Sequence, residues 1–385
     1  MRFDIFVRIV VSSIFAAVIS GCATDRPIAF QCPNMASFRS ALDVTPGGAA
    51  RDDLPDFTTI LANSLGTERG GLQNEEVNIL VLSGGGKWGA YGAGLLKAWS
   101  GQTAAGETRP QFDIVTGVST GALQSTYAFL GREHDDALIA AYTIERERQL
   151  AKRHGNTFFI RHASMADLSP LRDYAGVRIA PLLDEVAAQA KLGRKLFVGS
   201  IDALDGRMYA IDMTRIASEL RGTERHECYV GALLASAAIP VVFRQVTING
   251  TPYFDAGVRN SVFVTGVRDS AGKAVAQEKR RGKLWILVNG EPGVSVKARV
   301  EPKILPTLGR LRELAFDQIQ QDSIFAAHVE GGMKTRVATA TGHGCTAHST
   351  DEDIFDPAFM KCLSESGKRA YARGMPWKDY PAEPR

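Results

Sequence analysis

Between residues 77 and 288 the chain repeats one pattern: a short, densely apolar run, a glycine-rich turn, then a helical stretch. Val77-Asn78-Ile79-Leu80-Val81-Leu82 is apolar and β-branched almost throughout, as a strand buried on both faces requires. Phe112-Asp113-Ile114-Val115-Thr116 and Leu284-Trp285-Ile286-Leu287-Val288 read the same way. Residues 196–211 predict two strands around the Asp205-Gly206 turn. Residues 95–99 and 122–130 predict helices, and residues 137–152 another, with Ile139, Tyr142, Ile144 and Leu150 on its apolar side. Residues 303–328 have helical spacing at Leu308, Leu311, Leu314, Ala315 and Ile319; this stripe is expected to face the core, with the charged residues solvated. Strands alternating with helices predict an α/β sandwich with a mainly parallel sheet. The pattern recurs in hydropathy only; no internal repeat of the sequence itself is visible.

The chemistry gathers where strand gives way to helix. Gly117-Val118-Ser119-Thr120-Gly121 follows one predicted strand and precedes a predicted helix. There, G-x-S-x-G is a nucleophile elbow: the turn demands small residues beside the serine and lifts its hydroxyl out at the sheet's carboxyl edge. Out of context it is an ordinary Gly/Ser turn. Upstream, the strand ending at Leu82 runs into Ser83-Gly84-Gly85-Gly86-Lys87-Trp88-Gly89. Bare backbone N–H groups at a helix N-terminus suit an anion, either a phosphate or a developing oxyanion. Residues 84–89 also satisfy G-x-G-x-x-G, but a dinucleotide site expects an acidic residue after the next strand, where this chain has Thr116 and the elbow. Lys87 is followed by Trp88, which excludes a Walker loop. An oxyanion hole fits better than either. Downstream, Thr251-Pro252-Tyr253-Phe254-Asp255-Ala256-Gly257 ends a short aromatic strand in a carboxylate. An Asp just before Gly is commonly a turn or cap residue. Here it gains weight as the base that a serine hydroxyl needs to become a nucleophile.

Together, the glycine-rich loop, the G-x-S-x-G elbow and Asp255-Ala256-Gly257 resemble the patatin-like phospholipase family. Residues 235–243 (Ala-Ser-Ala-Ala-Ile-Pro-Val-Val-Phe) are similar to a further block of that family. The resemblance implies a three-layer α/β/α sandwich and hydrolysis of lipid acyl esters, of the lipase or phospholipase A type, through a Ser-Asp dyad without histidine, cofactor or metal. It assigns Ser119 as nucleophile, Asp255 as general base and the N–H groups of Gly84, Gly85, Gly86 and Thr120 as the oxyanion hole. Gly89, Gly117, Gly121 and Gly257 support these motifs. The substrate would be a phospholipid or another acyl ester. Two positions depart from the family pattern: Trp88 stands where Arg or Lys is usual, and Ala256 where Gly is usual. The second matters sterically only if that residue needs positive φ. An aspartate titrates near about 3.9, so burial is expected to raise Asp255 toward usefulness.

A Ser-acid-His triad is the rival arrangement, and the histidines after Asp255 are His328, His343 and His348. His343 and His348 read as solvent-facing loop residues, His328 as a packing or surface residue on a helix. The same acyl-serine would also serve acyl transfer to an alcohol. A lipid-binding envelope lipoprotein with a relic site is the non-catalytic alternative, disfavoured because serine, aspartate and glycine loop are all intact.

The N-terminus supplies an address. Arg2 and Arg8 precede an apolar run over residues 9–19, then Ser20-Gly21-Cys22. A basic start, an apolar run too short to span a bilayer and small residues ahead of a cut describe a secretory signal. With Cys22 next, the segment resembles a bacterial lipoprotein lipobox, which implies cleavage before Cys22, its lipidation and a membrane anchor without a transmembrane helix. Ala23 and Thr24 stand where an Asp would argue for inner-membrane retention, so the expected site is the cell envelope, on the periplasmic face of the outer membrane. A formal charge of +3 over 385 residues gives no argument for a nucleic-acid partner. Nothing sets an oligomeric state. Beside Cys22 the chain has Cys32, Cys228, Cys345 and Cys362, consistent with an oxidising compartment. Cys345 and Cys362 are expected to bridge, closing a short loop worth roughly 3 kcal/mol in the chain-entropy model. Cys32 and Cys228 stay unassigned. The expected organisation is a signal over 1–21, a lipidated tether over 22–73, the catalytic domain over 74–335 and an irregular, disulfide-pinned extension over 336–385.

Overall fold

The computed structural model describes residues 27–42, 77–104, 106–155, 162, 164–264, 282–294, 302–345 and 353–381. One sheet is built from β1 (Ile28–Phe30), β2 (Arg39–Ala41), β3 (Val77–Leu82), β4 (Ile114–Val118), β5 (Lys195–Asp202), β6 (Met208–Asp212), β7 (Val246–Ile248), β8 (Thr251–Asp255), β9 (Gly282–Leu287), β10 (Lys334–Ala338) and β11 (Lys378–Tyr380). Its centre is parallel, with β5, β4, β3, β9 and β10 side by side in that order. Antiparallel pairs flank it: β11 on β10, and β6 and β8 on β5. β7 pairs β8, β1 pairs β7 and β2 pairs β6.

The helices that matter below are α1 (Gly89–Ser100), α2 (Thr120–Leu130), α3 (Asp135–Ala141), α4 (Ser169–Ile179), α5 (Leu183–Lys191), α6 (Met213–Glu219), α7 (Gly222–Ala237), α8 (Ile304–Gly331) and α9 (Pro357–Lys368). Side chains of β3 alternate between two buried cores: Leu80 and Leu82 enter one, Val77, Ile79 and Val81 the other. A strand apolar at every position must bury both faces, so helices are needed on both. α1 to α7 and α9 cover the first face; α8, through Ile324 and Ala327, covers the second with Val262, Phe263 and Val264. The result is the three-layer α/β/α sandwich with a mainly parallel sheet.

Four expectations need correction. Residues 27–42 are not tether: β1 and β2 belong to the sheet, Phe30, Met35 and Phe38 are buried, and Cys32 is disulfide-bonded to Cys228 on α7. Three-residue strands leave no periodic signal to read. Cys22, the signal segment and the rest of the expected tether lie outside the described residues. The described residues of 336–385 are not an irregular extension either, since β10 and β11 extend the sheet and α9 packs Phe359, Met360 and Leu363 into the first core. Trp377 joins this junction, its ring centroid 4.4 Å from that of Trp99. Cys345 and Cys362 are joined by a disulfide. The helix predicted over 137–152 stops at Ala141, where Tyr142 turns in to hydrogen-bond Thr120. Finally, the Leu308-Leu311-Leu314 stripe of α8 faces outward. α8 has a second face carrying Ser323, Ile324 and Ala327, and the hydrogen bond from Ser261 N–H to Ser323 Oγ fixes that face inward.

Candidate active site

β4 and β8 meet head-on along one edge of β5. β4 runs parallel to β5 as far as the pair Val118–Gly199. β8 arrives from the opposite direction and ends at the pair Asp255–Ser200. β6 holds the other edge of β5 through Ile201, so β4 and β8 must share the remaining one. Ser119, leaving β4, and Asp255, ending β8, are thereby brought together.

Ser119 and Asp255 are both buried, and the Ser119 hydroxyl lies close enough to the Asp255 carboxylate to favour its ionised form. Ser119 has φ 56° and ψ −123°. Such a conformation costs a non-glycine residue on the order of 1–3 kcal/mol and persists only where its surroundings enforce it. They do so here: Ser119 N–H donates to Ser236 Oγ at 3.0 Å, and its carbonyl accepts from Ala122 and Leu123 N–H in the first turn of α2. Gly117 and Gly121 are required by close approach rather than by φ. A Cβ on Gly121 would lie 2.2 Å from the Leu82 carbonyl oxygen, and one on Gly117 2.5 Å from that of Gly121.

Asp255 accepts the Gly257 N–H at 2.7 Å. Burial pushes its carboxyl up from 3.8 to about 7, while the Ser119 hydroxyl and the Gly257 N–H pull the other way. A carboxylate so placed is a far better proton acceptor near neutral pH than an exposed aspartate. Ala256 enters a short helical turn without positive φ, so its departure from glycine carries no steric cost.

Gly84 lies against the serine: a Cβ on it would sit 3.4 Å from Ser119 Cβ. Its N–H, however, donates to the Ser261 carbonyl at 3.2 Å, which corrects its assignment as an oxyanion donor. Gly85 has φ 151°, and a Cβ there would collide with the Asn289 carbonyl oxygen. Among the described residues the N–H groups of Gly85 and Gly86 have no acceptor, and Thr120 N–H opens α2, ahead of any intrahelical acceptor. The N–H groups of Gly85, Gly86 and Thr120 thus remain without a backbone acceptor among the described residues.

Residues 80–267 match the patatin-like phospholipase family, an interval holding the glycine loop, the elbow and Asp255. The chain carries a patatin-like domain. The match supports lipid acyl hydrolysis by this domain in general terms. The crystal structure of VipD from Legionella pneumophila is similar with a TM-score of 0.35 and 10% identity, over 80% of this chain and 68% of that one. That likeness is too loose to build on. No curated protein matches the chain.

Several residues that shape the site of the patatin-like domain escape a reading of the sequence. Ser236, in the fourth motif block, anchors the elbow. Gln124 and Asn289 form a buried amide pair: Gln124 Nε2 donates to the Gly89 carbonyl at 2.7 Å, and Asn289 Nδ2 donates to Gln124 Oε1 at 2.9 Å and the Ser83 carbonyl at 2.8 Å. The pair ties the glycine loop to α2 and to the end of β9. One amide on a helix that also carries Thr120, Ser125 and Thr126, and an Asn directly after an apolar strand, are the only traces it leaves in the sequence. Trp88, the other departure, packs edge-on against Phe359 and His343, and Lys87 Nζ donates to the Asp353 carbonyl at 3.3 Å, so this position pins the C-terminal segment to the loop.

The histidines are engaged elsewhere. His328 bonds Thr335 Oγ1. His343 is not solvent-facing as expected: its side chain is 5% exposed, bonded to Glu291 at 2.7 Å, with Nδ1 accepting the Cys345 N–H. His348 lies outside the described residues. A small apolar cavity of about 50 Å³ borders Thr120, with Leu123, Tyr127, Leu171, Leu233 and Met360 in its lining. Among the described residues no three His, Cys, Asp or Glu side chains group as a metal site, and no helix is long and apolar enough to cross a membrane.

Proposed function

We propose that the patatin-like domain is a serine acyl hydrolase of the lipase or phospholipase A type, with Ser119 as nucleophile and Asp255 as general base. The observation that carries this reading is the placement of Ser119, at the end of β4, beside a buried carboxylate raised to about 7 at the end of β8. Ser119 Oγ attacks the ester carbonyl while its proton passes to Asp255. The charge developing on the carbonyl oxygen is met by N–H groups of Gly85, Gly86 and Thr120. Removing one such donor typically costs about a hundredfold or more in rate. As the intermediate collapses, Asp255 gives that proton to the leaving oxygen, which departs as the alcohol and leaves an acyl-serine; Asp255 then takes a proton from the water that attacks the acyl carbon, and returns it to Ser119 Oγ as the fatty acid leaves. The cavity beside Thr120 receives the acyl chain, its lining being almost wholly apolar.

The decisive experiment measures fatty-acid release from phospholipid and from p-nitrophenyl esters with metal chelated, beside Ser119→Ala and Asp255→Asn. Loss in both variants, with His328→Ala, His343→Ala and His348→Ala active, is the expected result; survival of activity in Asp255→Asn overturns the dyad. We further propose that Cys22 is lipidated and holds the protein in the cell envelope. Two disulfides, Cys32–Cys228 and Cys345–Cys362, favour an oxidising compartment. Cys22→Ala should then release the protein from the membrane fraction.

A further inference from the structure

α8 presents two apolar faces, and the body of the protein uses one. The inner face buries Ile324 and Ala327. Phe316 reaches the turn after Asp255, its ring 3.9 Å from where a Cβ on Gly257 would stand. Ser323 Oγ accepts the Ser261 N–H, and the Ser261 carbonyl holds Gly84. On the outward face Leu308, Leu311 and Leu314 are 54%, 59% and 45% exposed, and Phe325 and Val329 are exposed as well. Residues three apart on a helix are neighbours, so the three leucines form one strip, on the turns next to the one that touches Gly257.

Charge divides the helix in the same place. Residues 303–312 carry Lys303, Arg310 and Arg312 and no carboxylate; residues 313–331 carry Glu313, Asp317, Asp322 and Glu330 and no Lys or Arg. Arg310 is paired with Glu313, and Arg312 is exposed. The leucine strip begins in the basic part.

We infer that the strip Leu308-Leu311-Leu314, with Arg312 beside it, docks the protein on an anionic lipid surface and brings the Ser119–Asp255 site to that surface. The inference rests on the acyl-hydrolase reading for the chemistry of the occupant. Continuity supports it, because the helix that bears the strip also touches the turn after Asp255 and holds, through Ser261, the glycine loop. Area argues against a second copy of the chain: all five outward apolar side chains together offer roughly 500 Å², short of the ~800 Å² per partner of a stable interface. A fluid lipid surface needs no shape-matched partner, and its anionic headgroups suit the cations around the strip.

The test uses the full chain with Cys22→Ala, so that no anchor forms there, in a Ser119→Ala background that leaves vesicles intact. Flotation is measured with phosphatidylcholine vesicles, alone or mixed with an equal share of phosphatidylglycerol. Leu308→Ser/Leu311→Ser should lower partitioning at least about tenfold on both. Arg312→Glu should lower it only where phosphatidylglycerol is present. With Ser119 restored, both variants should keep kcat/KM on a soluble p-nitrophenyl ester within about twofold while losing release from vesicles. Unchanged flotation of the leucine variant overturns the inference. So does a wild-type dimer that the leucine substitutions dissociate, which assigns the strip to a second copy. Leucine-dependent flotation without any ester hydrolysis by the wild type supports the docking surface and overturns the hydrolase reading instead.

Discussion

The unit formed by β4 and α2 has two junctions, and they are built to opposite ends. At the elbow, Ser119 sits in a strained conformation beside a carboxylate that burial pushes toward neutrality. At the far junction, where β4 begins and α2 finishes, almost everything is satisfied. Arg194, buried, donates from Nε to the Phe112 carbonyl at 2.7 Å, from Nη1 to Gln189 and from Nη2 to the Phe129 carbonyl. Arg109 donates to the Ala128 carbonyl and pairs with Asp135 at 2.7 Å. Both arginines occupy the carbonyls that a helix leaves unpaired at its C-terminus, where a cation is also favoured by the helix dipole. Burial, with Arg109 nearby, still lowers Arg194 to about 10, against the pull of Asp113. One junction holds the unit together so that the other can stay strained.

The largest effects should fall on the elbow alone. Ser119→Ala should cut ester hydrolysis by about 10⁴ or more, as loss of a nucleophile does elsewhere, with an unchanged unfolding midpoint. Asp255→Asn should match it in activity but differ in stability. A carboxylate whose folded value is raised destabilises the folded state once pH passes its unfolded value. The penalty grows between about pH 4 and pH 7 and is constant above, reaching on the order of 4 kcal/mol. Asp255→Asn should therefore unfold at higher denaturant than wild type at pH 8, and the two curves should merge by pH 4. For the same reason kcat/KM of the wild type should rise as pH climbs through about 7; a limb near 4 would break the link to burial. Arg194→Met reverses the pattern. It leaves the Phe112 and Phe129 carbonyls without this donor and should cost about 3 kcal/mol by chemical denaturation, with the folded fraction as active as before. The smallest change sharpens the contrast most: Ser119→Gly should be inactive yet more stable by about 1 kcal/mol, because glycine accepts φ 56° without strain.

What was legible in the sequence follows the same division. β3, β4 and β9 announce themselves by unbroken apolar runs, and the elbow and Asp255 by turns whose chemistry is local. The pairing of Gln124 with Asn289 and the anchoring of Ser119 by Ser236 are long-range, and a single amide or hydroxyl at a distant position carries no periodic mark. β1, β2 and β11 have three residues each and are strands only because a sheet edge is there to receive them. α8 misled for another reason: both of its faces are apolar enough to bury, and hydrophobic spacing does not say which face a serine hydrogen bond selects. Gly84 shows the limit for donors, since a glycine pattern reveals bare N–H groups without showing which one a neighbouring carbonyl has already taken.

β5 serves as a ruler for the Ser119–Asp255 pair. Because β4 and β8 are laid end to end on consecutive residues of its edge, Gly199 and Ser200, the gap between Ser119 and Asp255 is read off backbone hydrogen bonds rather than set by side-chain packing. Lengthening or trimming the exposed connections between Ser119 and Asp255 should leave that gap untouched, however the intervening chain diverges. One residue inserted at Gly199–Ser200 would shift the marks by a full step of the strand, about 3.3 Å, and turn Asp255 to the other face of the sheet.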